Sequence, residues 1–186
     1  MAMTQVDGRR LRREQNREAV LEALVALLED GVYQPTTNEI AERAGISPRS
    51  LFRYFDDVDD LSRAAIERHM ERVGSLFTLD VSPDAPTALK ITQVVEQRAR
   101  LYDAIAPTAR TARVIAHRNE VVATQLRRIR AHLRNELRRA FGRDDVLPAL
   151  DALLSFESYE LLRYDQGLSR ATAVAALTAA VTKALS

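Results

Sequence analysis

The sequence has no cysteine, no tryptophan, and six glycines and six prolines in 186 residues. Without cysteine there is no disulfide framework, no zinc ribbon and no thiol nucleophile. No apolar run approaches the roughly 18 residues that a membrane-spanning helix needs, so no membrane partner is expected. The opening MAMTQVDGRRLRREQNR turns basic with no apolar stretch, which is not the layout of a secretory signal, and the expected location is the cytoplasm. An excess of one charge is also missing. The chain has 27 basic and 26 acidic residues, a net charge of +1, so binding to a polyanion requires basic residues concentrated in one place. Lys90 and Lys183 are the only lysines, the other basic residues being arginine.

What remains is a chain of helical periodicity with no strand-like alternation, and the reading is all-α. Val20, Ala23, Leu24, Leu27 and Leu28 fall on one stripe of a helix over 17–28, stopped by Gly31. A longer helix with an acidic start is expected within DDVDDLSRAAIERHMERVGSLF, ending near Gly74 to Phe77. TLDVSPDAPT is a linker, with Pro86 near the first position of the next helix. Further helices are expected near 86–105, 107–117, 119–141, 145–165 and 169–185, with Gly167 at a helix end and Ser169 as an N-cap.

The most informative stretch is TTNEIAERAGISPRSLFRYF, residues 36–55. Thr36 followed by Glu39 forms a capping box, with Ile40 and Ala41 facing inward behind it. Gly45 interrupts the helix, Ser47 caps a second one with Pro48 at its first position, and Leu51 and Phe55 continue the inward stripe. Two short helices joined by a tight glycine-containing turn make a helix-turn-helix. The outward face of the second helix carries Arg49, Ser50, Arg53 and Tyr54. Arginine reads a guanine edge through two hydrogen bonds, and serine and tyrosine reach bases or phosphates. The helix starts at Thr36–Thr37 and Ser47–Pro48 present free N–H groups suited to phosphates. Upstream, Arg9, Arg10, Arg12 and Arg13 form a basic arm with no helical stripe, placed to enter a minor groove or follow the backbone.

The run from Arg17 to Leu61 resembles the DNA-binding domain of the TetR family of bacterial transcriptional regulators. The resemblance rests on the apolar first helix, the glycine, TTNEIAERAGIS, LFRYF and the acidic start of the fourth helix. It implies a three-helix DNA-binding domain over 1–56 and a helical effector-binding and dimerisation domain over 57–186. It further implies a homodimer on a palindromic duplex, formed through the two last helices and released as a repressor by a small-molecule effector. Thr36 is implied as a phosphate contact, and Arg49, Ser50 and Tyr54 as contacts from the recognition helix. Two positions depart from the family pattern: Phe52 replaces a tyrosine and Val58 a lysine, both of which reach phosphates in the family.

Enzymatic readings lack their residues. His69, His117 and His132 are far apart in sequence and outside any metal-ligand spacing, no glycine-rich phosphate loop is present, and neither a metal nor a cofactor is expected. The basic RRIRAHLRNELRR carries an apolar stripe and reads as a core-facing helix with an arginine-rich outer face. Phe77, Tyr102, His117, Phe156 and Tyr159 are candidates to line a cavity for a largely apolar effector, with ordinary packing the competing account. A helical interaction protein whose helix-turn-helix is purely structural is the alternative function.

Overall fold

The computed structural model describes residues 3–32, 34–82 and 84–186, with the side chains of residues 3–7 and 9 outside the described part. Every regular element among these residues is helical: α1 (Met3–Glu29), α2 (Thr37–Arg43), α3 (Pro48–Leu51), α4 (Val58–Val73), α5 (Thr87–Ile115), α6 (Glu120–Phe141), α7 (Leu147–Leu153), α8 (Phe156–Glu160) and α9 (Arg170–Leu185). A 3₁₀ turn over Gly74–Phe77 follows α4, and a π-helical turn over Leu161–Asp165 follows α8. The helices group into two compact units, one of residues 1–72 and 107–126, the other of 73–106 and 127–186.

In the first unit Val20, Leu21, Leu24 and Leu27 of α1 pack with Ile40, Leu51, Phe55 and Leu61. At the end of α1, Gly31 takes φ +83° while Val32 N–H donates to Leu27 O and Gly31 N–H to Leu28 O. The same arrangement closes α2 at Gly45, with φ +69°, Ile46 N–H on Ala41 O and Gly45 N–H on Glu42 O. The left-handed conformation at both helix ends is the reason glycine stands there.

The structure corrects the expected element boundaries in three places. First, α1 begins at Met3, so the segment expected as a basic arm is helical, with Arg10 paired to Glu14 one turn on at 3.3 Å. Second, the helices expected on either side of Pro107 are one helix. A proline inside a helix removes one backbone hydrogen bond at a cost of about 3 kcal/mol. Burial of Ile105, Ala106, Ala109 and Thr111 around it holds the helix through. Third, the helix expected over 145–165 is broken at Ser155, whose hydroxyl accepts from Ser158 N–H and starts α8. The last helix begins as read, with Ser169 Oγ accepting from Thr172 N–H.

The second unit buries charge. Arg98 is 1% exposed and Glu136 6%. Their nearest atoms lie 3.6 Å apart, Arg98 Nη2 donates to Leu133 O at 2.8 Å, and Glu136 Oε1 accepts from Leu79 N–H at 2.8 Å. Burial pushes the Arg98 guanidinium below its usual range, and nearby Tyr102 and Glu136 oppose the shift.

Candidate nucleic-acid interface

Thr36 adopts extended backbone, and its Oγ1 accepts from Glu39 N–H at 3.2 Å while Glu39 Oε2 accepts from Thr36 N–H at 2.7 Å. The bond from the Thr36 backbone holds the Glu39 carboxyl below its ordinary value. Ser47 repeats the N-cap for α3, accepting from Ser50 N–H at 3.3 Å, with Pro48 at the first helical position. The capping signals in the sequence are therefore the helix starts. The second helix is shorter than LFRYF implies. It ends at Leu51 and tightens into turns in which Arg53 N–H donates to Ser50 O and Tyr54 N–H to Leu51 O.

On this frame Arg49 and Arg53 are exposed, Ser50 and Tyr54 half-buried, and Leu51 and Phe55 buried. Thr36, Ser47 and Pro48 are exposed and Thr37 is half-buried. Arg10, Arg12 and Arg13 are exposed on the early turns of α1, whereas the side chain of Arg9 lies outside the described residues. The hydroxyl protons differ in their engagement. Thr36 Oγ1 donates to Glu39 Oε2 at 2.8 Å, and Ser47 Oγ and Ser50 Oγ are hydrogen-bonded to one another at 2.9 Å. Tyr54 Oη lies 2.8 Å from Asn16 Nδ2 and accepts from it.

The acids after Phe55 act as caps. Asp57 Oδ1 accepts from Asp60 N–H at 2.7 Å and Asp60 Oδ2 from Asp56 N–H at 3.2 Å, which fixes the start of α4. Between them Val58 is 57% exposed, and on α3's C-terminal side Phe52 is 55% exposed. Neither apolar side chain is packed away, so both departures lie on the surface. On α4, Arg68 pairs with Glu18 and Glu22 of α1 at 2.7 Å each and with Glu71 at 3.2 Å. Sequence reasoning misses this clamp, because nothing in the sequence tells which exposed glutamate of one helix meets which arginine of another.

The candidate effector residues separate. Phe77, Tyr102, Phe156 and Tyr159 are buried in the second unit, and His117 is exposed in the first. The Tyr102 ring meets Phe156 edge-on with centroids 5.5 Å apart and lies 5.8 Å from Tyr159. Tyr102 Oη donates to Leu154 O and Tyr159 Oη to Asp103 Oδ1, both at 2.7 Å. Burial, reinforced by Asp103, pushes the Tyr159 hydroxyl up to about 12. The second unit also has a groove of about 310 Å³ lined by Leu79, Asp80, Thr92, Gln93, Glu96, Gln97 and Arg100. None of these stands out in the sequence pattern.

Among the described residues no helix is long and apolar enough to cross a membrane. Residues 20–65 match the model for bacterial regulatory proteins of the tetR family. The chain is 30% identical over 84 residues to the nucleoid occlusion factor SlmA of Haemophilus ducreyi, a stretch covering 44% of this chain and 42% of that one. It is 33% identical over 115 residues to an uncharacterised HTH-type transcriptional regulator of Mycobacterium tuberculosis, covering 62% of this chain and 48% of the relative. The match thus spans less than half the length of either relative. Its fold matches a transcriptional regulator from Rhodococcus sp. Rha1, with a TM-score of 0.67 at 16% identity over 93% of this chain and 95% of that one. It also matches a TetR transcription regulator from Haloarcula marismortui, with a TM-score of 0.61 at 19% identity over 92% and 97% of the two chains. The doubly capped helix-turn-helix, its exposed arginines and these matches lead to one conclusion: residues 20–65 of this chain form a helix-turn-helix domain of the tetR family of bacterial regulatory proteins.

Proposed function

We propose that this protein is a DNA-binding transcriptional regulator, a repressor that holds a palindromic operator as a homodimer and leaves it when a small-molecule effector binds. The observation that carries the reading is the second helix of the motif, fixed at its start by Ser47 and Pro48 and presenting Arg49 and Arg53 to solvent. Residues 1–56 serve as the DNA-binding part and 57–186 as the effector-binding and dimerisation part. Arg10, Arg12 and Arg13 add phosphate contacts from a helix rather than from an extended arm, because α1 is helical through them.

The dimer forms through α8 and α9. The exposed Leu161 beside α8 and the exposed Ala171, Ala175, Ala176 and Ala179 on α9 support a close helix-to-helix contact. A two-fold dimer places its recognition helices about 34 to 36 Å apart, in successive major grooves. Release requires an effector that binds the DNA-incompetent conformation more tightly than the competent one, since equal affinity shifts nothing. A largely apolar effector seated at Phe77, Tyr102 and Phe156 must share or displace the hydroxyl bonds that Tyr102 and Tyr159 make.

Selection of bound duplexes from a random pool tests the reading and returns the operator. On that operator, Arg49→Ala and Arg53→Ala each weaken binding by about 1 to 3 kcal/mol with the fold unchanged. Wild-type affinity in both variants, measured by fluorescence anisotropy, refutes the assignment of the recognition helix.

A further inference from the structure

We propose that Asn16 is a positioning residue for DNA binding, which holds the Tyr54 hydroxyl as an acceptor so that its proton is left for a phosphate oxygen. The inference rests on the reading of this unit as a DNA-binding domain and adds to it a role for the first helix. Three side chains within about one turn of α1 grip three successive residues after α3. Arg13 Nη2 lies 3.5 Å from Arg53 O, Asn16 Nδ2 lies 2.8 Å from Tyr54 Oη, and the Arg17 guanidinium stands 5.0 Å over the Phe55 ring. The spacing 13, 16, 17 puts them on one face of the helix.

The chemistry follows from the proton count. A tyrosine hydroxyl has one proton and accepts through its lone pairs, and an amide NH₂ only donates. With Asn16 donating, the Tyr54 proton stays unassigned to Asn16, and a phosphate oxygen is an acceptor that takes it. Among the four hydroxyls Thr36, Ser47, Ser50 and Tyr54, Thr36 and Ser47 accept from backbone N–H groups, Thr36 donates to Glu39 and the two serines bond one another, so Tyr54 differs in that the donor on its oxygen is the side-chain amide of Asn16. The ring is packed against the apolar core formed by α1 to α4, which restricts where the hydroxyl points.

The test is a double-mutant cycle of Asn16→Ala and Tyr54→Phe, read by anisotropy on the selected operator and on a random duplex at one salt concentration. Alanine is the better helix former and phenylalanine keeps the ring, so both variants retain the fold, as circular dichroism checks. With Tyr54 in place, Asn16→Ala lowers affinity by about threefold to tenfold on both duplexes alike, the worth of one hydrogen bond to a group without base identity. In the Tyr54→Phe background the same substitution changes affinity by less than about twofold. Equal losses in both backgrounds, or no loss beside Tyr54, overturn the proposal while leaving the DNA-binding reading in place. A wild-type chain that binds no duplex overturns that reading and this inference with it.

Discussion

The two units keep most of their arginines at the surface, but the second also buries one. In the first, Arg49 and Arg53 are exposed, and Arg68 is paired with Glu18 and Glu22 at the surface of α1 and α4. In the second, Arg98 is 1% exposed and faces Glu136, itself 6% exposed. A surface arginine is hydrated, costs little to keep charged, and remains available to a polyanion. A buried one costs several kcal/mol to desolvate and is kept only with a partner and hydrogen bonds around it. The first arrangement suits contact with a ligand outside the molecule, and the second fixes the packing of α5 on α6 inside it.

Three changes break or sharpen that contrast. The largest effect is expected in the second unit. Glu136→Leu leaves Arg98 buried without its countercharge and removes the acceptor of Leu79 N–H. Chemical denaturation then shows a loss of about 3 to 5 kcal/mol, while the double change Arg98→Met with Glu136→Leu recovers most of it. A single variant as stable as wild type would show that the pair is dispensable.

A smaller effect is expected from the cap of α2. Thr36→Ala removes the acceptor of Glu39 N–H and costs about 1 kcal/mol. The loss shows as a lower melting temperature and stays well short of the Glu136→Leu loss, because the exposed Glu39 N–H and carboxylate turn to water instead. A loss as large as that of the buried pair would remove the contrast between the units.

The smallest effect, and the one most specific to DNA, comes from the exposed apolar positions 52 and 58. Phe52→Tyr with Val58→Lys adds a neutral hydrogen bond and one cation. Binding tightens on operator and random duplex together, and the slope of log affinity against log salt steepens by about 0.9 for the one phosphate neutralised. Asp57 and Asp60 already accept backbone N–H groups at the start of α4, which limits their freedom to capture the new ammonium. An unchanged salt slope would mean that position 58 does not face the DNA backbone.

Local signals are legible wherever a residue acts on its own backbone neighbours. Thr36 and Glu39, Ser47 and Pro48, Gly31, Gly45 and Ser169 all mark helix ends that the structure contains. The same logic fails at Pro107, where a local rule against helix is outweighed by burial of residues on both sides. It fails also at residues 9–13, which lack an apolar stripe and are helical nonetheless. An exposed helical extension needs no stripe, because it buries no face.

The sequence by itself determined the all-helical class, the two capped helices of the motif and the outward set Arg49 and Arg53, since these follow from hydrogen bonds within one turn and from a 3.6-residue period. Only the tertiary structure decided that Asn16 meets Tyr54, that Arg68 bridges α1 and α4, and that Arg98 is buried against Glu136 rather than solvated. Asn16 and Tyr54 stand 38 positions apart in the chain, and Arg68 and Glu22 stand 46 apart. A side chain's reach is fixed by its chemistry, but which distant backbone comes within that reach is settled by how whole helices pack.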